Sequence, residues 1–153
     1  MQATQKESDW TPLSIPLDLA QKWVTSWIDA DAQGAAIDPT EMRAFVVRRA
    51  DFMELLAQQD TEFIRMYVGR KEDPEIDHLR PCLVLVSAAK QKNVQPDAPQ
   101  PELIVDLIGP TIINQDGIVT DVDYKVFDFS HCCPPECYTE SPLFIGAPDE
   151  RCA

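Results

Sequence analysis

Apolar residues recur at helical spacing near the start of the chain. The stripe takes every fourth residue and its neighbours: Ile15, Leu19, Ala20, Trp23, Val24, Trp27 and Ile28. This pattern predicts an amphipathic helix whose apolar face, including both tryptophans, packs into a core. We expect the helix to begin near Ser14 as its cap, with Pro16 in the first turn, and to end between Asp29 and Gly34.

Two cap signatures punctuate the next thirty residues. Asp38-Pro39-Thr40-Glu41 combines an N-cap aspartate, a proline at the first helical position and a glutamate two residues later. Residues 45–47 fit a short strand or a continuing helix, and a strand is preferred because Asp51 and Glu54 form a second cap signature downstream. A helix is therefore predicted over residues 52–59, with three apolar side chains on one face: Phe52, Leu55 and Leu56.

Strand patterns dominate the rest of the chain. In order, we predict a strand at 63–68, a charged turn at 69–77, a strand at 82–86, a surface loop at 90–101, a strand at 103–108, a hairpin turn at 114–117 and a strand at 124–129. Residues 63–68 alternate in polarity, whereas 82–86 are apolar on both faces and indicate a central strand. The fold class predicted is α+β: a small, mostly antiparallel sheet of about 4–6 strands packed against two main helices, with an irregular Pro/Cys-containing C-terminal segment.

Length and charge narrow the class of protein. The length of 153 residues predicts one domain at 14–153 behind a flexible arm at 1–13. The net charge of −13 disfavours nucleic-acid binding. After Lys92, two basic residues stand against eleven acidic ones. This acidic third serves solubility or forms a patch for a basic protein partner. The N-terminus lacks a signal-peptide pattern and no long apolar run occurs, so we expect a cytoplasmic protein without membrane contact; its oligomeric state is left open.

The stretch His131-Cys132-Cys133-Pro134-Pro135-Glu136-Cys137 carries the most chemistry. Thiolate and imidazole are zinc ligands, so His131, Cys132, Cys133 and Cys137 are candidate metal ligands, although adjacent residues rarely reach one ion. A redox pair of Cys133 and Cys137 would require a turn at Pro135-Glu136, since an extended Pro-Pro would hold the two residues too far apart. Otherwise the cysteines pack beneath a segment stiffened by proline.

Several short motifs, taken in order, resemble those of a group of small bacterial proteins without an assigned activity. The motifs are Ile15-x-Leu17-x-x-Ala20-x-x-Trp23, Asp51-Phe52-x-x-Leu55-Leu56, Ile64-Arg65-x-Tyr67-x-Gly69, Leu83-Val84-Leu85-Val86 and Cys133-Pro134-Pro135-x-Cys137. The resemblance spans residues 15–145. It implies a helix–strand–helix–strand–strand order and a bacterial source, and it supplies no catalytic residues.

Arg65 and Tyr67, alternate residues of one predicted strand, are candidates for a polar surface pocket with Arg48 or Arg49. The sequence carries no phosphate-binding glycine loop and no hydrolase or zinc-protease signature. We therefore favour a non-catalytic acidic binding domain, for example one that neutralises a basic protein. The alternative is a metal- or thiol-dependent protein that uses the cluster at residues 131–137.

Overall fold

The computed structural model describes residues 13–30, 34, 38–73, 79–95, 97–115, 118–128, 131–148 and 150–152. The strands among them are β1 (Leu13–Ile15), β2 (Ala44–Val46), β3 (Phe63–Glu72), β4 (Leu79–Lys90), β5 (Ile104–Leu107), β6 (Gly109–Gln115), β7 (Ile118–Tyr124), β8 (Val126–Asp128) and β9 (His131–Cys133). The α-helices are α1 (Leu17–Ile28) and α2 (Arg49–Leu56), and single 3₁₀ turns form at Pro39–Glu41, Gln91–Asn93 and Glu150–Cys152.

Within the described residues, an antiparallel sheet of five strands confirms the predicted α+β class. Its order is β1-β8-β4-β3. Strand β5 pairs with residues 87–90 of β4, on the same edge of β4 that pairs with β8 at Leu85. The long strand β4 is therefore central, as its apolar residues on both faces predict. Two further antiparallel pairs, β2 with β9 and β6 with β7, lie outside this sheet.

The core lies on both faces of β4. Val84 and Val86 pack against Ala20 of α1, whereas Leu85, on the opposite face, packs against Leu55 of α2. Alternate residues of a strand point to opposite faces, so the two helices cover different faces of one sheet. A third cluster at the end of the sheet joins Ala89, Leu107 and Tyr124.

Helix α1 approaches the sheet closely at Gly69 of β3. A Cβ at this position would lie 3.2 Å from the carbonyl carbon of Trp23 and 3.2 Å from the Cys82 Sγ. Strand β3 continues through Gly69 to Glu72 and stays paired with β4 over this range, whereas the sequence predicted a turn that begins at residue 69. The predicted turn was wrong there because its charged residues extend an edge strand, which tolerates polar side chains.

The predicted start of the first helix was wrong. Ser14 pairs with Phe127 across β1 and β8, so it is not a cap, and α1 begins at Leu17 after Pro16. Leu13 is also part of β1, while the rest of the arm predicted at 1–13 lies outside the described residues. Ile28, assigned to the apolar stripe, is 70% exposed because it forms the last turn of the helix.

The second helix also begins earlier than predicted. Arg48 is the residue before α2, and Asp51 lies inside its first turn rather than at the cap. Leu55 is fully buried, but Leu56, predicted for the same buried face, is 53% exposed. The preference for a strand at 45–47 was correct to within one residue, because β2 spans Ala44–Val46. Asp38 caps the first 3₁₀ turn by accepting a hydrogen bond from the Thr40 N–H at 2.9 Å.

The strands predicted at 103–108 and 124–129 are present as the shorter β5 and β8, and β6 and β7 lie on either side of the predicted hairpin turn. The loop predicted at 90–101 includes the 3₁₀ turn Gln91–Asn93, and Tyr124 closes β7 instead of opening the last strand. Strands β6 and β7 pair antiparallel as far as Gln115 and Ile118, and residues 116–117 of the predicted turn lie outside the described residues. No helix in the described ranges has the length and apolarity needed to cross a bilayer.

Candidate functional site

The first three residues of the stretch 131–137 form strand β9, a strand that the sequence did not predict. His131, Cys132 and Cys133 pair with Val46, Phe45 and Ala44 of β2, respectively. Cys132 and Cys133 are buried, and His131 is half-buried. The backbone N–H of Arg43 donates to the Cys133 carbonyl at 3.0 Å, which extends this pairing by one more bond.

The chain reverses directly after β9. The Glu136 N–H donates to the Cys132 carbonyl at 3.0 Å, and the peptide bonds before Pro134 and Pro135 are both cis. This turn brings the Cα atoms of Cys133 and Cys137 to 4.9 Å, and their sulfurs form a disulfide. The turn at Pro135-Glu136, the condition set for a cysteine pair, is therefore present.

The disulfide changes what the four candidate metal ligands can do. Cys133 and Cys137 have no thiolate to offer an ion while they are bonded to each other. The Cys132 thiol donates to the Glu41 carbonyl at 3.4 Å. Among the described residues, no three His, Cys, Asp or Glu side chains are grouped as a metal site. The oxidised protein thus gives the zinc hypothesis no set of ligands in this part of the chain.

Burial controls the ionisation of the remaining groups around β9. It raises the pKa of the Cys132 thiol, and it raises the pKa of Cys82 to about 12. A thiol reacts as its thiolate, so the raised pKa of each group lowers its reactive fraction. Burial also lowers the pKa of His131, so its imidazole is held neutral near pH 7.

A surface groove of about 340 Å³, which we call the C-terminal groove, opens beside the disulfide, between β2 and residues 136–144. The Arg43 guanidinium lies 4.2 Å from the centroid of the Phe144 ring and also donates to the Ile145 carbonyl. Three apolar side chains at this groove and beyond its rim are largely exposed: Tyr138 at 67%, Leu143 at 88% and Ile145 at 74%. We call these three residues the C-terminal apolar patch.

The second candidate, Arg65 and Tyr67, is on the face of β3 that α1 covers. Arg65 donates to Asp106 Oδ1 at 2.6 Å and to the Ile104 carbonyl at 3.1 Å. The Tyr67 hydroxyl donates to Asp106 Oδ2. Tyr67 and Asp106 border a cleft of about 300 Å³ under α1. Arg48, proposed as a partner, instead pairs with Asp51 at α2.

Sequence reasoning missed Asp106 and the groove residues outside the stretch 131–137. Asp106 is the only charged residue in the apolar run 103–108, a signal that could have singled it out. For the groove, the signal was the apolar run Leu143-Phe144-Ile145 within an acidic, proline-containing segment. Arg43 carried no comparable signal.

Comparisons with protein-family profiles, with curated protein sequences and with solved structures give no match for this chain.

Proposed function

We propose that this protein is a non-catalytic binding domain that recognises a basic protein through the C-terminal apolar patch. One observation carries the proposal. Leu143, Ile145 and Tyr138 expose most of their surface beside a groove, in a segment whose charged side chains are mainly carboxylates. Exposed apolar side chains gathered at a groove are typical of protein-binding surfaces.

Charge supports a basic partner. Glu136 lines the groove, and Glu140 is exposed on the adjoining turn. The Arg43 guanidinium, the basic group of the groove, is already engaged with the Phe144 ring and the Ile145 carbonyl. A partner that presents lysine or arginine around an apolar side chain would complement this arrangement and would be steered by the net charge of −13.

The test uses two variants of equal charge. In Leu143→Asp/Ile145→Asp the patch is disrupted, and Met53→Asp/Leu56→Asp makes the same change at two exposed apolar residues of α2, which are 57% and 53% exposed. Immobilised wild type and the α2 variant should capture the same basic protein at low salt and release it at high salt. The patch variant should bind that protein, once purified, more than about 30-fold more weakly, as expected for the loss of binding hot spots.

Two results would overturn this proposal. One is that wild type captures no basic protein at low salt. The other is that the patch variant binds the purified partner as tightly as the α2 variant does.

The disulfide favours a second candidate function, thiol–disulfide exchange. A thiolate from a dithiol reductant would attack the half-buried Cys137 sulfur, and Cys133 would leave as a thiolate and take up a proton. The second thiol of the reductant would then displace Cys137 and complete its own disulfide. In the reducing cytoplasm expected from the sequence, such a pair would cycle between its two states.

The reduction potential of the pair separates a functional disulfide from a structural one. Equilibration with defined ratios of oxidised and reduced dithiothreitol, followed by alkylation and mass spectrometry, measures it. A potential above roughly −270 mV would support exchange, and one below roughly −300 mV would identify a structural disulfide.

A further inference from the structure

The cleft under α1 is a second concave site, separate from the C-terminal groove. It opens along one side of α1, between the helix and the sheet, and its volume is about 300 Å³. Its walls are mainly aliphatic side chains from the helix and the sheet: Ala20, Val24, Val84, Val86, Ile108 and Val126. Pockets for small ligands span roughly 300–1,000 Å³ and are lined in this way, so the cleft suits a ligand at the small end of that range.

Polar atoms gather at one end of the cleft, and they are acceptors. The Tyr67 hydroxyl donates its hydrogen to Asp106, so only its oxygen lone pairs remain to receive a ligand. The hydrogen bond to Asp106 and burial raise the pKa of Tyr67, which keeps the hydroxyl protonated and this bond intact. Arg65 donates hydrogen bonds to Asp106 and to the Ile104 carbonyl and also interacts with the Tyr67 hydroxyl, but it does not line the cleft.

The polar end therefore presents the Tyr67 oxygen and the Asp106 carboxylate. A ligand must bring a hydrogen-bond donor, because the atoms that line this end are acceptors, whereas the Arg65 guanidinium that pairs with Asp106 does not line the cleft. Asp106 is held from both of its oxygens, so it is preorganised for such a donor. A cation is favoured further by the net charge of the protein, −13.

We propose that the cleft between α1 and the sheet binds a small molecule with an aliphatic body and a primary ammonium head, which donates to Asp106 and Tyr67. This inference goes beyond recognition of a basic protein, since none of the residues that line the cleft belongs to the C-terminal groove. Gln21 and Thr25 of α1 border the opening and leave access from solvent.

Three probes of equal chain length test the chemistry of the head group. Hexylammonium, hexanol and hexanoate are titrated into the protein, and methyl NMR signals of Ala20, Val84 and Val126 are followed. We expect saturable shifts with hexylammonium, weaker binding of hexanol and no shift with hexanoate. Absence of saturable shifts with hexylammonium would overturn the proposal, and so would binding of hexanoate at least as tight as that of hexylammonium.

Variants test the position of the site. Asp106→Asn removes the charged acceptor and should weaken hexylammonium binding by about 10- to 100-fold, the equivalent of a hydrogen bond to a charged group. Gln21→Trp places a ring over the cleft from an exposed residue and should abolish binding of both hexylammonium and hexanol. Lys22→Trp puts the same ring on the next residue of α1, which does not line the cleft, and should bind as wild type does.

Gln21→Trp keeps the proposal falsifiable if Asp106→Asn does not fold, because Gln21 is on the surface. Unchanged hexylammonium affinity in Gln21→Trp, with a wild-type thermal midpoint, would place the binding elsewhere and overturn the assignment.

Discussion

His131 is half-buried in β9 among charges of both signs. Burial is the main cause that lowers its pKa; Lys71 and Arg48 act in the same direction, whereas Glu136 and Asp128 oppose them. A histidine whose pKa is lower in the folded state binds its proton more readily once the chain unfolds. Above the unfolded pKa, near 6.5, the neutral His131 does not reduce the free energy of unfolding. As the pH falls below 6.5, the unfolded chain takes up the proton first, and the free energy of unfolding decreases.

We predict that replacing His131 removes part of the acid sensitivity of the fold. Between about pH 7.5 and pH 5.5, wild type should lose more free energy of unfolding than His131→Asn, measured by urea denaturation at each pH. All other ionisable groups are common to the two proteins, so their effects cancel in the comparison. Equal losses in the two proteins would contradict the assigned direction of the pKa shift.

Asp51 shows why a cap signature can mislead. It lies in the first turn of α2, 3% exposed, and accepts hydrogen bonds from Arg48 Nε at 3.0 Å and Nη2 at 2.9 Å. An aspartate is favourable both at an N-cap and within the first turn, because each position faces the positive end of the helix dipole. Sequence spacing does not distinguish the two, and the partner Arg48 decides between them.

We predict that Asp51→Asn destabilises the protein by about 2 kcal/mol, because it removes the charge that both hydrogen bonds from Arg48 depend on. Glu54→Gln, an exposed change in the same helix, should cost less than about 0.5 kcal/mol. Urea denaturation of both variants measures the difference. Equal midpoints for the two variants would show that the Arg48–Asp51 pair contributes little.

Length explains which elements the sequence could predict. Helix α1, with twelve residues, carries enough periodicity to be recognised, and β4, also with twelve, contains a continuous apolar run at 82–86. Strands β1 and β9 have three residues each, too few for an alternation to appear, and each exists because a partner strand lies beside it. Because β9 is so short, the sequence also did not show the pairing with β2 that positions His131 and Cys133.

The turn that follows β9 is covalently closed. The bond between Cys133 and Cys137 closes a short loop, so it removes conformational entropy mainly from the unfolded chain. For a loop of this size the gain in stability is about 2 kcal/mol. Cys133 also lines the C-terminal groove, so the bond bears on both candidate functions.

We predict that Cys137→Ser lowers the free energy of unfolding by about 2 kcal/mol in non-reducing buffer. Adding dithiothreitol should lower wild type by a similar amount and leave Cys137→Ser unchanged, as followed by thermal and urea denaturation. Cys152→Ser, at a cysteine outside the disulfide, is the control and should respond to the reductant as wild type does. A wild-type protein indifferent to full reduction would contradict a stabilising role.

The two candidate sites depend on contacts between distant parts of the chain. The side-by-side placement of Arg65 and Tyr67 follows from strand alternation and was predictable, but Asp106 reaches them only because β3 and β5 flank the same strand, β4. The C-terminal groove likewise joins residues 43–46 to residues 133–144. Composition could indicate an acidic surface, but only tertiary structure shows which side chains form the groove.

Most basic side chains of the molecule are paired with carboxylates, and the remaining carboxylates give the excess of negative charge. Nine basic side chains among the described residues form ion pairs with carboxylates: Lys22, Arg48, Arg65, Lys71, Arg80, Lys90, Lys92, Lys125 and Arg151. The pairs differ in exposure. Lys22 and Glu72 are 3.9 Å apart and mostly exposed, so salt removes little stability there, while the partly buried pair of Lys71 and Asp128, 2.5 Å apart, is poorly screened.

Repulsion within the acidic excess should therefore dominate the response to salt. We predict that raising NaCl from about 0.02 M to about 0.5 M increases the free energy of unfolding by about 1 kcal/mol, because screening relieves repulsion that destabilises the compact state. Urea denaturation at each salt concentration measures this change. Glu54→Gln/Asp121→Asn neutralises two exposed carboxylates and should show a smaller gain. A loss of stability with salt would mean that the ion pairs outweigh the repulsion.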